Sequence, residues 1–181
     1  HSHSTNYYLL GIVCTINGAK IIPGVDTMLS ESNYRGVTIS AVKLENNKVF
    51  VAHSAGTAIH LYGVICTIDN ITITAGTDTT IVGNDNAGHA ISTIPLTNDR
   101  VFISHCNGTA FHLYGIVCTI TGTTITIGTD VSLDGVEYSG LCVSVTELEN
   151  NKAFVAHNDG GAYYLSAMIC TISGTTISKG T

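Results

Sequence analysis

Three histidines, His53, His105 and His157, recur at one interval in the contexts VAHS, ISHC and VAHN, and His1 stands in phase with them. Imidazoles repeated in this way can bind a metal or a ligand with pH sensitivity, or each can tie a strand end to a turn. Repetition favours the tie, because a stabilising contact must recur in every unit and an active site need not. Asp26, Asp78 and Asp130 recur in GVDT, GTDT and GTDV. Their carboxylates suit a calcium ion or a turn cap, and the cap is the expected role. His60 and His112, replaced by Tyr8 and Tyr164 in the flanking repeats, read as half-exposed strand positions.

Cys14, Cys66, Cys118 and Cys170 share one phase and sit among apolar residues. They read as unpaired, buried small hydrophobes, too far apart for disulfides, which need Cα atoms within about 7 Å. Cys106 and Cys142 occur once each without CxxC spacing, so no zinc site is expected. Glu147 takes the place of Lys43 and Pro95, which leaves no repeated carboxylate pair for acid–base work. The sequence has no Gly-x-Ser-x-Gly elbow, no phosphate-binding glycine loop and no HExxH. The expectation is therefore no catalytic residue, no metal, no cofactor and no enzymatic activity.

The elements that position these residues follow from the spacing. The four cysteines lie 52 residues apart with no insertion, and a period of that size calls for a repeat architecture. Around them the text recurs as LLGIVCTING, LYGVICTIDN, LYGIVCTITG and LSAMICTISG, and a second block recurs as KLENNKVFVAHS, PLTNDRVFISHC and ELENNKAFVAHN. Each unit divides into four strand-like segments. The first, such as Val37 to Leu44, ends in an Asn-rich turn (Asn46-Asn47, Asn98-Asp99, Asn150-Asn151). The second is Val49 to His53. The third runs from His60 to Ile68 and closes on Asn17-Gly18, Asp69-Asn70, Thr121-Gly122 or Ser173-Gly174, hairpin chemistry that supplies φ > 0. The fourth, such as Ile71 to Gly76, leads into a long polar linker.

Three short turns and one long linker describe a four-stranded antiparallel meander, the blade of a propeller. A β-solenoid is the alternative, but its coils are usually shorter and need no paired hairpins. The expected fold is all-β: a β-propeller of 52-residue four-stranded blades, with about three and a half repeats in this chain. Residues 1–181 form a single repeat domain, in which 1–36 supply a half repeat (third and fourth strands plus linker) and 37–88, 89–140 and 141–181 are successive blades.

Composition agrees and narrows the function. Apolar residues at 44% against 11% charged exclude a disordered chain, and 19 Gly with 2 Pro suit strands and tight turns. The net charge of -6 comes from 13 acidic and 7 scattered basic residues, so no stripe follows a phosphate backbone and nucleic acid is not an expected partner. The longest apolar stretch, Tyr7 to Cys14, falls short of the roughly 20 residues of a membrane helix, so no span is expected. An opening His1 in place of Met reads as a processed or truncated product, with His1 to Ser4 either a tag remnant or native.

The segments HLYG, CTI, GTTIT, GTD and VFVAHS resemble highly repetitive propellers found in bacterial and phage tail-associated proteins. The resemblance spans essentially the whole chain. It implies adhesion or tail architecture at a virion or cell surface, and it brings no catalytic motif and no functional residue with it.

In a meander blade, the loop between second and third strands and the linker to the next blade share one face. Tyr34, Asn84, Asp85, Asn107, Tyr138 and Asp159 are the candidate ligand contacts there, suited to a glycan or a surface protein. The expected function is a non-catalytic binding or assembly module; a propeller-scaffold hydrolase or lyase, and an excised or engineered fragment, are the alternatives. Half a repeat leaves open sheet edges, which invite pairing. A homo-oligomer is therefore expected, a dimer completing a six- or seven-bladed ring, since twice the chain length nearly equals seven repeats.

Overall fold

The computed structural model describes residues 2–3, 8–30, 38–97, 99–149, 151–162 and 164–180. Most of these residues lie in strands, all paired antiparallel, with no α-helix among the described residues. The first repeat contributes β1 (Ser2–His3), β2 (Tyr8–Gly11), β3 (Cys14–Asn17), β4 (Lys20–Pro23) and β5 (Thr27–Ser30). The second forms β6 (Ile39–Lys43), β7 (Lys48–Ala55), β8 (His60–Asp69), β9 (Thr72–Ala75) and β10 (Thr79–Val82). The third follows as β11 (Ile91–Leu96), β12 (Arg100–Asn107), β13 (His112–Thr121), β14 (Thr124–Ile127) and β15 (Val131–Asp134). The last comprises β16 (Val143–Leu148), β17 (Lys152–Asp159), β18 (Tyr164–Ser173) and β19 (Thr176–Lys179).

Each complete repeat folds into its own meander, in the order β6-β7-β8-β9, β11-β12-β13-β14 and β16-β17-β18-β19. The expected four strands are present, and the linker adds a fifth. The third strand is ten residues long, whereas the hairpin strand beside it covers only four. β9 pairs with Cys66–Asp69, and β10 returns to pair with Leu61–Gly63 across a bulge. β15 does the same on β13. All four residues of β10, Thr79, Thr80, Ile81 and Val82, are β-branched, which suits an edge strand.

The turns agree with their residues. Asn46 and Asn47 take φ of 54° and 57°, and Lys48 N–H donates to the Glu45 carbonyl at 3.3 Å. In the β13–β14 hairpin, Thr121 pairs with Thr124, so the two-residue turn is Gly122-Thr123, one position later than the sequence suggests. Gly122 has φ 64°, and Asn70 holds the same place in the second repeat at φ 52°. A positive value at the first turn position alone is the II′ pattern.

The sheets stack face to face with their first strands adjoining. Ser40 Oγ lies 2.8 Å from Thr93 Oγ1, and Ser92 Oγ accepts from Val145 N–H at 3.0 Å. Alternation along each strand sends side chains to opposite neighbours. In β12, Val101 and Ile103 join Phe50, Leu61 and Ile65 of the preceding sheet, while Phe102 joins Ala153, Val155 and Cys170 of the following one. Cys66, Cys118 and Cys170 are buried in these layers and unpaired. Burial pushes their thiols up, to about 11, about 12 and about 11. Cys14 departs from the expectation and is exposed, because no sheet among the described residues covers that side of β3.

Candidate functional site

The recurring histidines are buried ties. His53 Nε2 lies 3.0 Å from Asp78 Oδ1, and its Nδ1 lies 3.1 Å from the Ser54 carbonyl. His105 repeats this with Asp130 Oδ1 at 3.0 Å and the Cys106 carbonyl at 2.7 Å. The end of the second strand is thereby fastened to the GTD segment where the chain turns towards its fifth strand. The second carboxylate oxygen is also used: Asp130 accepts from Asn107 Nδ2 at 2.9 Å, and Asp78 accepts from Ser30 Oγ at 3.0 Å. His157 is buried with Nδ1 at 2.8 Å from the Asn158 carbonyl. Sequence reasoning treated the histidines and aspartates as separate features; their shared offset of 25 residues was the available signal. Among the described residues, no three metal-ligating side chains converge.

The linkers and the loops between second and third strands share one face, bonded backbone to backbone. Asn86 and Gly88 N–H donate to the Ala58 and Ile59 carbonyls at 2.8 and 2.7 Å, and Tyr138 and Gly140 donate to Ala110 and Phe111 at 2.8 and 2.7 Å. The approach is close enough to require glycine: a Cβ on Gly140 would lie 2.6 Å from the His112 carbonyl oxygen and 2.7 Å from Cys106 Cβ. The linker also grips the next sheet, with Gly108 N–H donating to the Asp85 carbonyl at 3.0 Å and Cys106 Sγ to the Asn86 carbonyl. Asn158 Nδ2 bonds the Tyr138 carbonyl in the same manner one repeat later.

On this fixed backbone stands a run of rings. His89 meets Phe111 edge to face, with centroids 5.1 Å apart at 71°, and Phe111 stacks on Tyr138 at 6.1 Å and 22°. His89 and Tyr138 are exposed and Phe111 is half-buried. His60 Nε2 lies 3.5 Å from Asp85 Oδ1 beside them.

Of the sequence-nominated contacts, Asn84, Asp85 and Tyr138 are exposed on this face, and Asp159 is half-buried at the end of β17. Asn107 is not displayed: it is buried against Asp130. Its amide replaces Ala55 of the preceding repeat and turns inward to the carboxylate. Tyr34 lies outside the described residues. His89 and Phe111 were missed, although each differs from its repeat partner, Leu141 and Ile59 respectively.

The opposite rim carries a groove of about 540 Å³, where Lys43, Glu45, Asp99 and Glu147 mix with Leu44, Pro95 and Leu96. Glu147 thus shares a surface with other acids drawn from the Asn-rich turns. A scan of protein-family models finds no match, and no curated protein matches the chain.

Proposed function

We propose that this chain is a non-catalytic binding and assembly module: β-propeller blades of the kind found in bacterial and phage tail-associated proteins, whose ring of six or seven blades is completed by a second copy. The ligand face is the linker rim, and the ligand is a glycan or a protein on a surface. The observation that carries this reading is the His89–Phe111–Tyr138 run, mounted on backbone bonded within and between sheets. Rings held in place beforehand lose little entropy on binding. Their faces suit the C–H surface of a sugar ring, with Asn84 and Asp85 beside them to hydrogen-bond hydroxyls.

A glycan array with the wild-type chain, read beside Phe111→Ala and Tyr138→Ala, tests the reading. Each substitution should weaken a hit at least tenfold while leaving the melt close to wild type. Turnover of any substrate in a broad hydrolase screen, undiminished by these substitutions, would favour the hydrolase or lyase alternative.

A further inference from the structure

The two ends of the stack expose opposite halves of one repeated interface. Inside the molecule, a trailing face built from Phe50, Leu61 and Ile65 is covered by a leading face built from Ile116, Cys118, Ile120 and Ile125. The same layer recurs one repeat later, with Phe102, Leu113 and Val117 against Cys170, Ile172 and Ile177. At the first repeat the leading-face positions are Ile12, Cys14, Ile16 and Ile21, all uncovered. Ile16 is 74% exposed where Ile120 and Ile172 are 4% and 2%. At the last repeat the trailing-face positions are Phe154, Leu165 and Ile169, also uncovered. Leu165 is 85% exposed where Leu61 and Leu113 are 0%.

We infer that these faces dock on each other between two copies of this chain, head to tail, continuing the internal stack across the junction. The occupant of each face is a second copy because the complementary surface is already encoded at the other end, at the same repeat phase. Charge does not oppose the contact, since the residues named are apolar on both sides. An isologous pairing of two trailing faces would instead set Phe154, Leu165 and Ile169 against themselves, an arrangement found at neither internal layer. A pair joined at both junctions holds six complete meanders and two partial ones. The inference rests on the proposed ring completed by a second copy, and it adds which faces meet.

Head-to-tail contacts can be tested by complementation. One variant, Ile16→Asp with Ile21→Asp, blocks only the leading face; another, Leu165→Asp with Ile169→Asp, blocks only the trailing face. In sedimentation, wild type should assemble, each variant alone should run as the 19.0 kDa monomer, and an equimolar mixture should recover a heterodimer. Cys14 should react with a thiol reagent at least tenfold more slowly in the assembled wild type than in either variant. Both variants should keep a cooperative melt, the changed side chains being exposed; if one does not, the single exchanges Ile16→Asp and Leu165→Asp take its place. An assembled wild type with either variant still assembled, or with a mixture that stays monomeric, overturns the head-to-tail contact and leaves ring completion through another face. A monomeric wild type at high micromolar concentration overturns both.

Discussion

At the scale of single residues, the buried thiols and the His–Asp pairs serve the fold. The four buried thiols, Cys66, Cys106, Cys118 and Cys170, should resist a thiol reagent until the protein unfolds, whereas Cys14 and Cys142 should react at once in dilute protein. Burial also sets an alkaline limit. Desolvation raises Cys66, Cys118 and Cys170 from an ordinary 9.0 to about 11, 12 and 11. Below pH 9 folded and unfolded chains both hold these protons and stability is unaffected. Above it the unfolded chain ionises first, so stability should fall as pH rises through 9 to 12. Urea midpoints across that range should show the fall, and Cys118→Ala should make it shallower. The His–Asp tie has its own signature. Asp130→Ala strips acceptors from buried His105 and from Asn107, at a cost of about 1–3 kcal/mol. A urea midpoint unchanged in this variant would contradict the structural role of the pair.

At the scale of elements, the turns decide which residues each strand presents, and they separate what sequence reveals from what it hides. Gly122 sits at φ 64° with nothing within 4 Å of where a Cβ would be, so substitution there meets backbone strain without a clash. Gly122→Val should cost about 1–2 kcal/mol, whereas Gly122→Asn should be nearly neutral, because Asn70 already holds that conformation in the neighbouring repeat. Equal denaturation midpoints for the two variants would show that the turn does not need a positive φ. The repeats, the four meander strands and the hairpins were legible because period, β-branched runs and Asn/Gly turns are local properties. The fifth strand was not. Thr79–Val82 is four residues inside a polar linker, and it becomes a strand by pairing with the outer edge of β8 at Leu61–Gly63, beyond the reach of β9, which pairs only with Cys66–Asp69. The proposed ligand face was legible in part for the same reason: Asn84, Asp85 and Tyr138 stand out as linker residues, but the stacking of Phe111 on Tyr138 depends on how a linker crosses its loop.

At the scale of the whole molecule, stability should depend on where a residue lies in the stack, since each sheet touches only its neighbours. Phe50, Phe102 and Phe154 occupy one phase, yet the first two are fully buried and Phe154 is 38% exposed. Phe102 fills the layer between the third and fourth sheets, with Leu113, Val117, Ala153 and Val155 around it. Removing its ring leaves a cavity that packed sheets on both sides can only partly close, so Phe102→Ala should cost about 3–5 kcal/mol. Phe154→Ala removes a ring already partly in water and should cost a fraction of that in dilute protein, although the two residues are identical in type and repeat position. Raising the concentration then separates position from partner. If a second copy covers β17 and β18, the cost of Phe154→Ala in denaturant should climb towards that of Phe102→Ala, while the cost of Phe102→Ala stays fixed. Equal costs at the lowest concentration would mean that the trailing face is already covered within one chain, and the open stack described by these sheets would be wrong.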